Sequence, residues 1–334
     1  MSQHSASAAS SPSSPFRRRA VRIGAGVAVL VAVAGYVTVQ FFAGDQGSTR
    51  CSVRGQDVSG ANGSRYDLTA EQAVNAATIS SVGTARGMPE RAVTIALATA
   101  LQESALRNIR HGDRDSLGLF QQRPSQGWGT EKQILDPAYS AGRFYQHLTE
   151  VPGYSRLPLT VAAQRVQKSG FPQAYAKHEP DAALLASALT GRTPASLTCE
   201  TRRGGDDGTP GDPAKVRERL VRDFGAGVLP REARGARDRG ATAGAGAQDA
   251  RTLVVPVSPA PSAPASAGAP AAESAPRQRG WTLAHWAMAH SAELRVARIT
   301  YAGREWRTTE AAKGWQRVPE GRAGADDVRI TTSP

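Results

Sequence analysis

The sequence predicts a mainly α-helical chain with a single N-terminal transmembrane helix, a helical domain, a disordered linker and a small α+β module at the C-terminal end. Three observations support this prediction. An uncharged apolar run covers residues 23–43, helical periodicity dominates residues 67–199, and four of the five tryptophans follow residue 280. The predicted segments are 1–22, 23–43, 67–199, 204–279 and 280–334.

The first two segments predict a membrane anchor. Residues 1–22 form a polar tail with four arginines near its end, and about 20 apolar residues are enough to span a bilayer as a helix. Because the arginines precede the apolar run, the positive-inside rule predicts a single-pass plasma-membrane protein with a cytoplasmic N-terminus. The alternatives are a cleaved signal peptide, with a small-residue site at Ala32–Ala34, and a buried core helix.

The net charge of +12 favours contact with polyanions such as nucleic acid, anionic lipid or anionic wall polymer. An extracytoplasmic location removes nucleic acid from these partners and leaves the membrane and the cell wall.

The chain has two cysteines, Cys51 and Cys199, which bracket the helical segment. In an oxidising compartment they can form one disulfide, which would stabilise the fold by on the order of 4 kcal/mol in the loop-entropy model. The alternative is two unpaired thiols. No Cys or His has partners at ligand spacing, so the sequence predicts no metal site and no cofactor.

Capping signals and apolar spacing place the helices of residues 67–199. Thr69 is an N-cap residue with Gln72 three positions later, and Pro89 suits the first turn of a second helix that runs to about Leu106. Pro124 and nearby glycines predict a loop, after which helical spacing returns over 139–148, 159–166 and 181–189. No alternating strand pattern of useful length is found here.

Residues 204–279 are rich in Gly, Ala, Pro and Arg, which predicts a linker with one short helix at 214–224. Residues 280–334 predict a helix over 283–294 and strands over 296–301 and 328–332. Their tryptophans could form a wall-binding surface, with Arg298, Arg304 and Arg307 favouring an anionic polymer. The alternative is that so small a module uses its aromatic residues as its core.

The residues between 101 and 128 carry the candidate chemistry. Glu103 shares a helix face with small, mostly apolar residues, and poor solvation would raise the pKa of its carboxyl. Such a carboxyl could keep a proton near neutral pH and donate it to a glycosidic oxygen. Gln121 and Gln122 offer amides that match sugar hydroxyl and acetamido groups. The alternative is a solvated Glu103, or one paired with Arg107.

Two motifs carry a resemblance to a known family. Glu103-Ser104 at the end of an apolar helix, followed by Gly118-Leu119-Phe120-Gln121, resembles the Glu-Ser and Gly-Leu-Met-Gln motifs of soluble lytic transglycosylases and goose-type lysozymes. The resemblance covers about residues 67–199 and implies a mainly helical, lysozyme-like domain that cleaves the β-1,4 bond of peptidoglycan. It implies that Glu103 is the catalytic acid and base, that Ser104 orients Glu103 or the sugar, and that Gly118, Leu119, Phe120 and Gln121 line the cleft.

The sequence departs from the family's third motif, Ala-Tyr-Asn. Residues 163–167 stand near the expected place without a tyrosine, and Tyr175 could supply the phenol. A hydrolytic mechanism would need a second carboxylate, for which Asp113 and Asp115 are the candidates, although both could instead cap turns. Trp128 could stack on a sugar ring or pack in the core.

Two functional classes therefore follow from the sequence. The first is a membrane-anchored extracytoplasmic enzyme, a lytic transglycosylase or muramidase, that cleaves peptidoglycan glycan strands with one general acid/base glutamate. The second is a non-catalytic cell-wall-binding or scaffold protein that keeps a lysozyme-like fold.

Overall fold

The computed structural model describes residues 49–55, 63–169, 172–200, 209–229, 249–257, 274–319 and 326–334. Within them, a small antiparallel sheet joins the two ends of the first helical region. Its strands are β1 (Arg50–Arg54), β2 (Arg65–Thr69) and β3 (Leu197–Glu200), in the order β2-β1-β3.

Cys51 and Cys199 lie directly opposite each other on β1 and β3, and they form a disulfide. This confirms the predicted pairing. Both cysteines are buried, and the bond closes a loop with a sequence separation of 148.

Six helices follow β2. They are α1 (Ala70–Ala85), α2 (Glu90–Ser104), α3 (Glu131–Ile134), α4 (Pro137–Thr149), α5 (Leu159–Gln167) and α6 (Glu179–Leu189). The predicted capping box is confirmed, because the Thr69 hydroxyl accepts from the Gln72 backbone and the Gln72 side chain accepts from the Thr69 N–H. Every residue of α2 from Ala92 to Leu101 is buried, and α6 packs along it. The helix that carries Glu103 in its last turn is thus the buried centre of this region.

The rest of the described chain adds two helices and a second antiparallel sheet. The helices are α7 (Pro213–Phe224) and α8 (Ser274–Ala289). The strands are β4 (Thr252–Pro256), β5 (Val296–Tyr301), β6 (Arg304–Arg307), β7 (Gln316–Arg317) and β8 (Asp327–Thr332), in the order β4-β8-β5-β6-β7. Because α8 packs on α1, α6, β3 and β5, it joins the second sheet to the helical region.

The C-terminal tryptophans belong to the core. Trp281, Trp286 and Trp306 are at most 2% exposed, and Trp315 donates its indole N–H to the Leu197 carbonyl of β3 at 2.9 Å. The interpretation of these residues as core therefore fits the structure, and their rings do not form an exposed binding surface.

The prediction of a mainly α chain is wrong, because the described residues form eight strands in two antiparallel sheets. Strands β1 and β3 have five and four residues, too few for an alternating pattern to be recognised, and they pair across most of the helical region. The prediction of a disordered linker over 204–279 is also wrong in its described parts. They contain α7, β4 and the start of α8, and the buried side chains of Leu253 and Val255 anchor β4.

The predicted cytoplasmic tail (1–22) and membrane anchor (23–43) lie outside the described residues. Among the helices that are described, none combines the length and the apolar character needed to cross a membrane. The longest of them, α1 and α8, have 16 residues each, whereas a bilayer requires about 20.

Candidate active site

Glu103 lies in the last turn of α2. The helix ends there because Ala105 and Leu106 adopt left-handed backbone conformations, with φ of 52° and 59°. Desolvation by burial raises the pKa of the Glu103 carboxyl, while hydrogen bonds from Tyr175 and Gln167 act in the opposite direction, and the net shift is upward. The expected poorly solvated carboxyl is therefore present.

Tyr175 contacts Glu103 directly. It lies in a 3-10 helix, Pro172–His178, and its fully buried side chain donates its hydroxyl to Glu103 Oε1 at 2.7 Å. Burial and the neighbouring carboxyl raise the pKa of the Tyr175 phenol, which keeps it protonated and available as a donor. The structure therefore brings together the two residues that the sequence proposed as acid and phenol, 72 positions apart.

Gln167 is a site residue that the sequence analysis did not single out. It is the last residue of α5, and its amide donates to the Phe120 carbonyl at 2.7 Å and hydrogen-bonds to the Glu103 carboxyl. Its position could have identified it, because Gln167 is the last residue of the stretch 163–167, where the family's third motif was expected. Gln167 links the end of α2 to the loop that carries the second motif.

Ser104 fastens α2 to that loop. Its buried hydroxyl donates to the carbonyls of Ala100 at 3.1 Å and Leu119 at 2.8 Å. The described hydrogen bonds of Ser104 therefore position the motif loop, and none of them reaches the Glu103 carboxyl.

The second motif forms a tight hairpin closed by an antiparallel bridge between Leu117 and Gln122. Gly118 makes the turn at φ +75°, and a Cβ there would lie 2.8 Å from the Ile134 carbonyl oxygen. Glycine is required by both the backbone conformation and the close approach.

Leu119 and Phe120 do not line a cleft with their side chains, because both are fully buried. The Phe120 ring stacks on Phe144 with centroids 4.7 Å apart. What these two residues offer the site is their backbone carbonyls, which accept from Ser104 and Gln167.

A cavity of about 400 Å³ opens beside the hairpin. We call it the cleft, and it is lined by Gln121, Gln122, Arg123, Gln126, Trp128, His147, Glu150, Val151, Arg165, Val166, Gln167 and Lys168. Three predicted binding residues, Gln121, Gln122 and Trp128, are in its wall. Glu103 itself is not a lining residue, and Gln167 is the residue that belongs both to the wall and to the Glu103 hydrogen bonds.

Trp128 is half-buried, and its ring lies 4.3 Å from the His147 ring at an interplanar angle of 57°. Its indole therefore packs on one neighbour while still bordering the cleft. The buried Gln122 amide donates to the Ser140 carbonyl at 3.0 Å, whereas its Oε1 has no protein partner. Because Gln122 is buried, its side chain holds the hairpin to α4 and does not present a free amide to the cleft.

The two candidate second carboxylates have different surroundings. Asp115 accepts from the Ser125 backbone N–H at 2.8 Å and from Arg123 Nε at 2.7 Å, and these bonds hold the pKa of its carboxyl well below the ordinary value. Asp115 thus holds the loop at 123–126 in place, as the turn-capping alternative expects. Asp113 is exposed, and neither aspartate lines the cleft. The carboxylate in the cleft wall is Glu150, which the sequence analysis missed.

Within the described part of the chain, no group of three or more His, Cys, Asp or Glu side chains is placed to hold a metal ion.

Comparison with known proteins gives no family assignment, because the sequence matches no protein-family model and no curated protein. The relationship to lysozyme-like enzymes therefore stays a prediction that depends on two short motifs. Any assignment of function depends on the geometry around Glu103.

Proposed function

We propose that this chain is an extracytoplasmic peptidoglycan-cleaving enzyme with Glu103 as its general acid. The observation that carries the proposal is a half-buried carboxyl with a raised pKa, hydrogen-bonded to Tyr175 and Gln167 next to a polar cleft. A raised pKa lets a carboxyl keep its proton to higher pH, and such a carboxyl can protonate the oxygen of a glycosidic bond as the carbon–oxygen bond breaks.

The surroundings of Glu103 suit both halves of such a reaction. Burial favours the protonated form, which donates the proton to the leaving oxygen. Once the proton has left, the Tyr175 hydroxyl and the Gln167 amide stabilise the carboxylate. The carboxylate then accepts a proton from the sugar's own hydroxyl, which closes an anhydro ring, or from water, which gives a reducing end.

The transglycosylase outcome is the one we favour. Hydrolysis with inversion requires a second carboxylate that activates water, at about 6.5–9.5 Å from the first. The Asp115 carboxylate is engaged by Arg123 and by the Ser125 backbone N–H. The Glu150 carboxylate lies 3.2 Å from Nδ1 of His147. A mechanism with a single carboxyl needs neither of them.

The cleft wall has the chemistry of a site for wall glycans. Gln121 presents an amide, and Trp128 borders the space with an aromatic ring that could pack on a sugar. Arg165 and Lys168 add positive charge beside Gln167, which suits the carboxylates of peptide stems on peptidoglycan. The disulfide supports an extracytoplasmic location, because such bonds persist in oxidising compartments.

One observation favours the second candidate, a non-catalytic wall-binding or scaffold protein. Glu103 does not line the cleft, and its Oε1 is already engaged by Tyr175. A protein with this geometry could hold a glycan in the cleft without turnover.

The experiment uses the full chain, incubated with purified peptidoglycan. We expect soluble muropeptides with anhydro ends, identified by mass spectrometry, and a loss of about 100-fold or more in their release for Glu103→Gln. Glu131→Gln is the matched control, because Glu131 is an exposed residue in the first turn of α3. It should release products at the wild-type rate.

Three results would decide between the candidates. Reducing ends in place of anhydro ends would indicate a muramidase. Binding of the wild type to peptidoglycan without release would indicate the scaffold. Equal release by Glu103→Gln and wild type would remove Glu103 as the acid.

A further inference from the structure

A second cavity of about 400 Å³ lies at the five-stranded sheet and shares no lining residue with the cleft. Its wall contains three arginines and three threonines: Arg251, Arg298, Arg307, Thr309, Thr331 and Thr332. We call it the arginine cavity. What it binds does not depend on turnover at Glu103.

Strand register brings two of these arginines together. Arg298 of β5 lies directly opposite Arg307 of β6 on one side and opposite Thr331 of β8 on the other. The next pair along β5 and β6, Ile299 and Trp306, is fully buried, so Arg298 and Arg307 are on the face turned away from the core.

Like charges directly opposite on neighbouring strands destabilise a sheet. Among the described residues the repulsion is only partly offset. Arg307 pairs with Glu305, whereas the Arg298 guanidinium has no ion pair or hydrogen bond with any described residue. Arg298 is half-buried, so water screens its charge less than at an open surface.

Threonine hydroxyls supply further donors at the same place. Thr331 shares a hydrogen bond with Thr252 at 3.0 Å, in which either hydroxyl can be the donor, so Thr331 can turn its proton toward the cavity. Thr309 is exposed on the cavity wall.

We propose that the arginine cavity binds a phosphate group. Arginine presents its N–H donors as a planar fork that matches two oxygens of a phosphate, and the cavity places the Arg298 fork beside hydroxyl donors and beside the Arg307 guanidinium, which also pairs with Glu305. A bound phosphate would also neutralise the repulsion between Arg298 and Arg307. The phosphate can belong to a soluble phosphate ester or to a lipid headgroup, since both present the same oxygens.

The first test measures binding of inorganic phosphate to the full chain by isothermal titration calorimetry, at constant ionic strength set with sodium chloride. We expect saturable binding that Arg298→Gln weakens by at least about tenfold, because one charge-assisted fork is lost. Arg329→Gln is the matched control. Arg329 is an exposed arginine on β8, opposite Thr300 and two positions from Thr331, and it does not line the cavity.

Thermal melting gives an independent readout and shows whether each variant is folded. Phosphate should raise the melting temperature of the wild type and of Arg329→Gln but not that of Arg298→Gln. Without phosphate, Arg298→Gln should melt no lower than the wild type, because a like-charge contact has been removed.

The source of the phosphate is decided with glycerol phosphate and with vesicles of phosphatidylglycerol or phosphatidylcholine. Association with phosphatidylglycerol vesicles that falls in Arg298→Gln would assign a headgroup, and Arg298-dependent binding of glycerol phosphate alone would assign a soluble ester. No saturable phosphate binding by the wild type, or equal affinities for Arg298→Gln and Arg329→Gln, would overturn the proposal.

Discussion

The Glu103 carboxyl experiences two opposing influences whose sources are different residues. Its burial at the end of α2 favours the neutral acid, and the donors on Tyr175 and Gln167 favour the anion. Because burial is the larger influence, the pKa of Glu103 is raised, and the two donors reduce the size of that rise. The donors can therefore be removed one at a time while the buried environment remains.

Tyr175→Phe tests this balance. The substitution removes the hydroxyl that donates to Glu103 Oε1 at 2.7 Å, so the carboxylate loses stabilisation and the pKa of Glu103 should rise further. Since Glu103 acts first as an acid, the alkaline limb of the pH profile for muropeptide release should move to higher pH. Because a higher pKa makes Glu103 a weaker acid toward the leaving oxygen, the maximal rate should fall by about tenfold.

Tyr139→Phe is the control for the loss of a hydroxyl. The Tyr139 hydroxyl donates to the Trp128 carbonyl at 3.3 Å and not to Glu103, so its removal should leave the alkaline limb in place. If the alkaline limb of the pH profile lies at the same pH in Tyr175→Phe and in the wild type, the Tyr175 hydroxyl does not set the pKa of Glu103.

Among the elements, the hairpin at 117–122 is hydrogen-bonded to two residues of the site. Its carbonyls accept from Ser104 and Gln167, and its turn depends on Gly118. Gly118 and Gly127 have almost the same backbone conformation, with φ of +75° and +78°, but only Gly118 is closely packed. An alanine at Gly127 would therefore meet only the conformational penalty, whereas an alanine at Gly118 would meet that penalty and a steric clash.

Gly118→Ala should destabilise the protein more than Gly127→Ala. At Gly127 a Cβ meets nothing within 4 Å, so only the left-handed conformation is penalised, by about 1 kcal/mol. At Gly118 the Cβ would also lie 2.8 Å from the Ile134 oxygen, which should raise the cost to roughly 2–4 kcal/mol. Urea unfolding of the two variants measures the difference, and equal losses would mean that the loop moves aside freely.

The elements also show what the sequence could and could not predict. The capping box at Thr69 and the start of α2 near Pro89 are local signals, and both were predicted correctly. Strands β1 and β3 were missed because their pairing joins residues about 150 positions apart, which no local pattern reports. In the site, Glu103 could be predicted from its motif, whereas Gln167 depends on how α5 meets the hairpin.

At the scale of the whole molecule, α8 connects the C-terminal sheet to the helices around Glu103. His285 is fully buried on α8. Its Nδ1 lies 2.7 Å from the Ala188 carbonyl oxygen of α6, whereas its Nε2 has no protein partner. Desolvation lowers the pKa of His285 to about 4. The imidazole is thus neutral in the folded protein and can donate its Nδ1 proton to Ala188.

Stability should therefore fall as the solution becomes acidic. The unfolded chain binds a proton on His285 below about pH 6.5, whereas the folded protein does so only below about pH 4. Between these values protonation favours the unfolded state, so the contribution of His285 is complete above pH 6.5 and decreases by roughly 3 kcal/mol on the way to pH 4. The buried His290 shifts in the same direction.

His285→Asn keeps an N–H donor but does not titrate in this range. Melting temperatures between pH 7 and pH 4 should decrease less steeply for this variant than for the wild type. His111→Asn changes an exposed histidine and should keep the wild-type slope. Parallel slopes for His285→Asn and wild type would show that His285 is not the group responsible.

The bond between Cys51 and Cys199 makes the backbone from β1 to β3 a closed ring that contains Glu103, Gln167 and Tyr175. A protease that cuts once anywhere inside this ring cannot release a fragment, because both pieces stay attached through the two sulfurs. The hairpin and the helices that meet at Glu103 therefore remain in one covalent molecule after a single cleavage, until a reductant opens the ring.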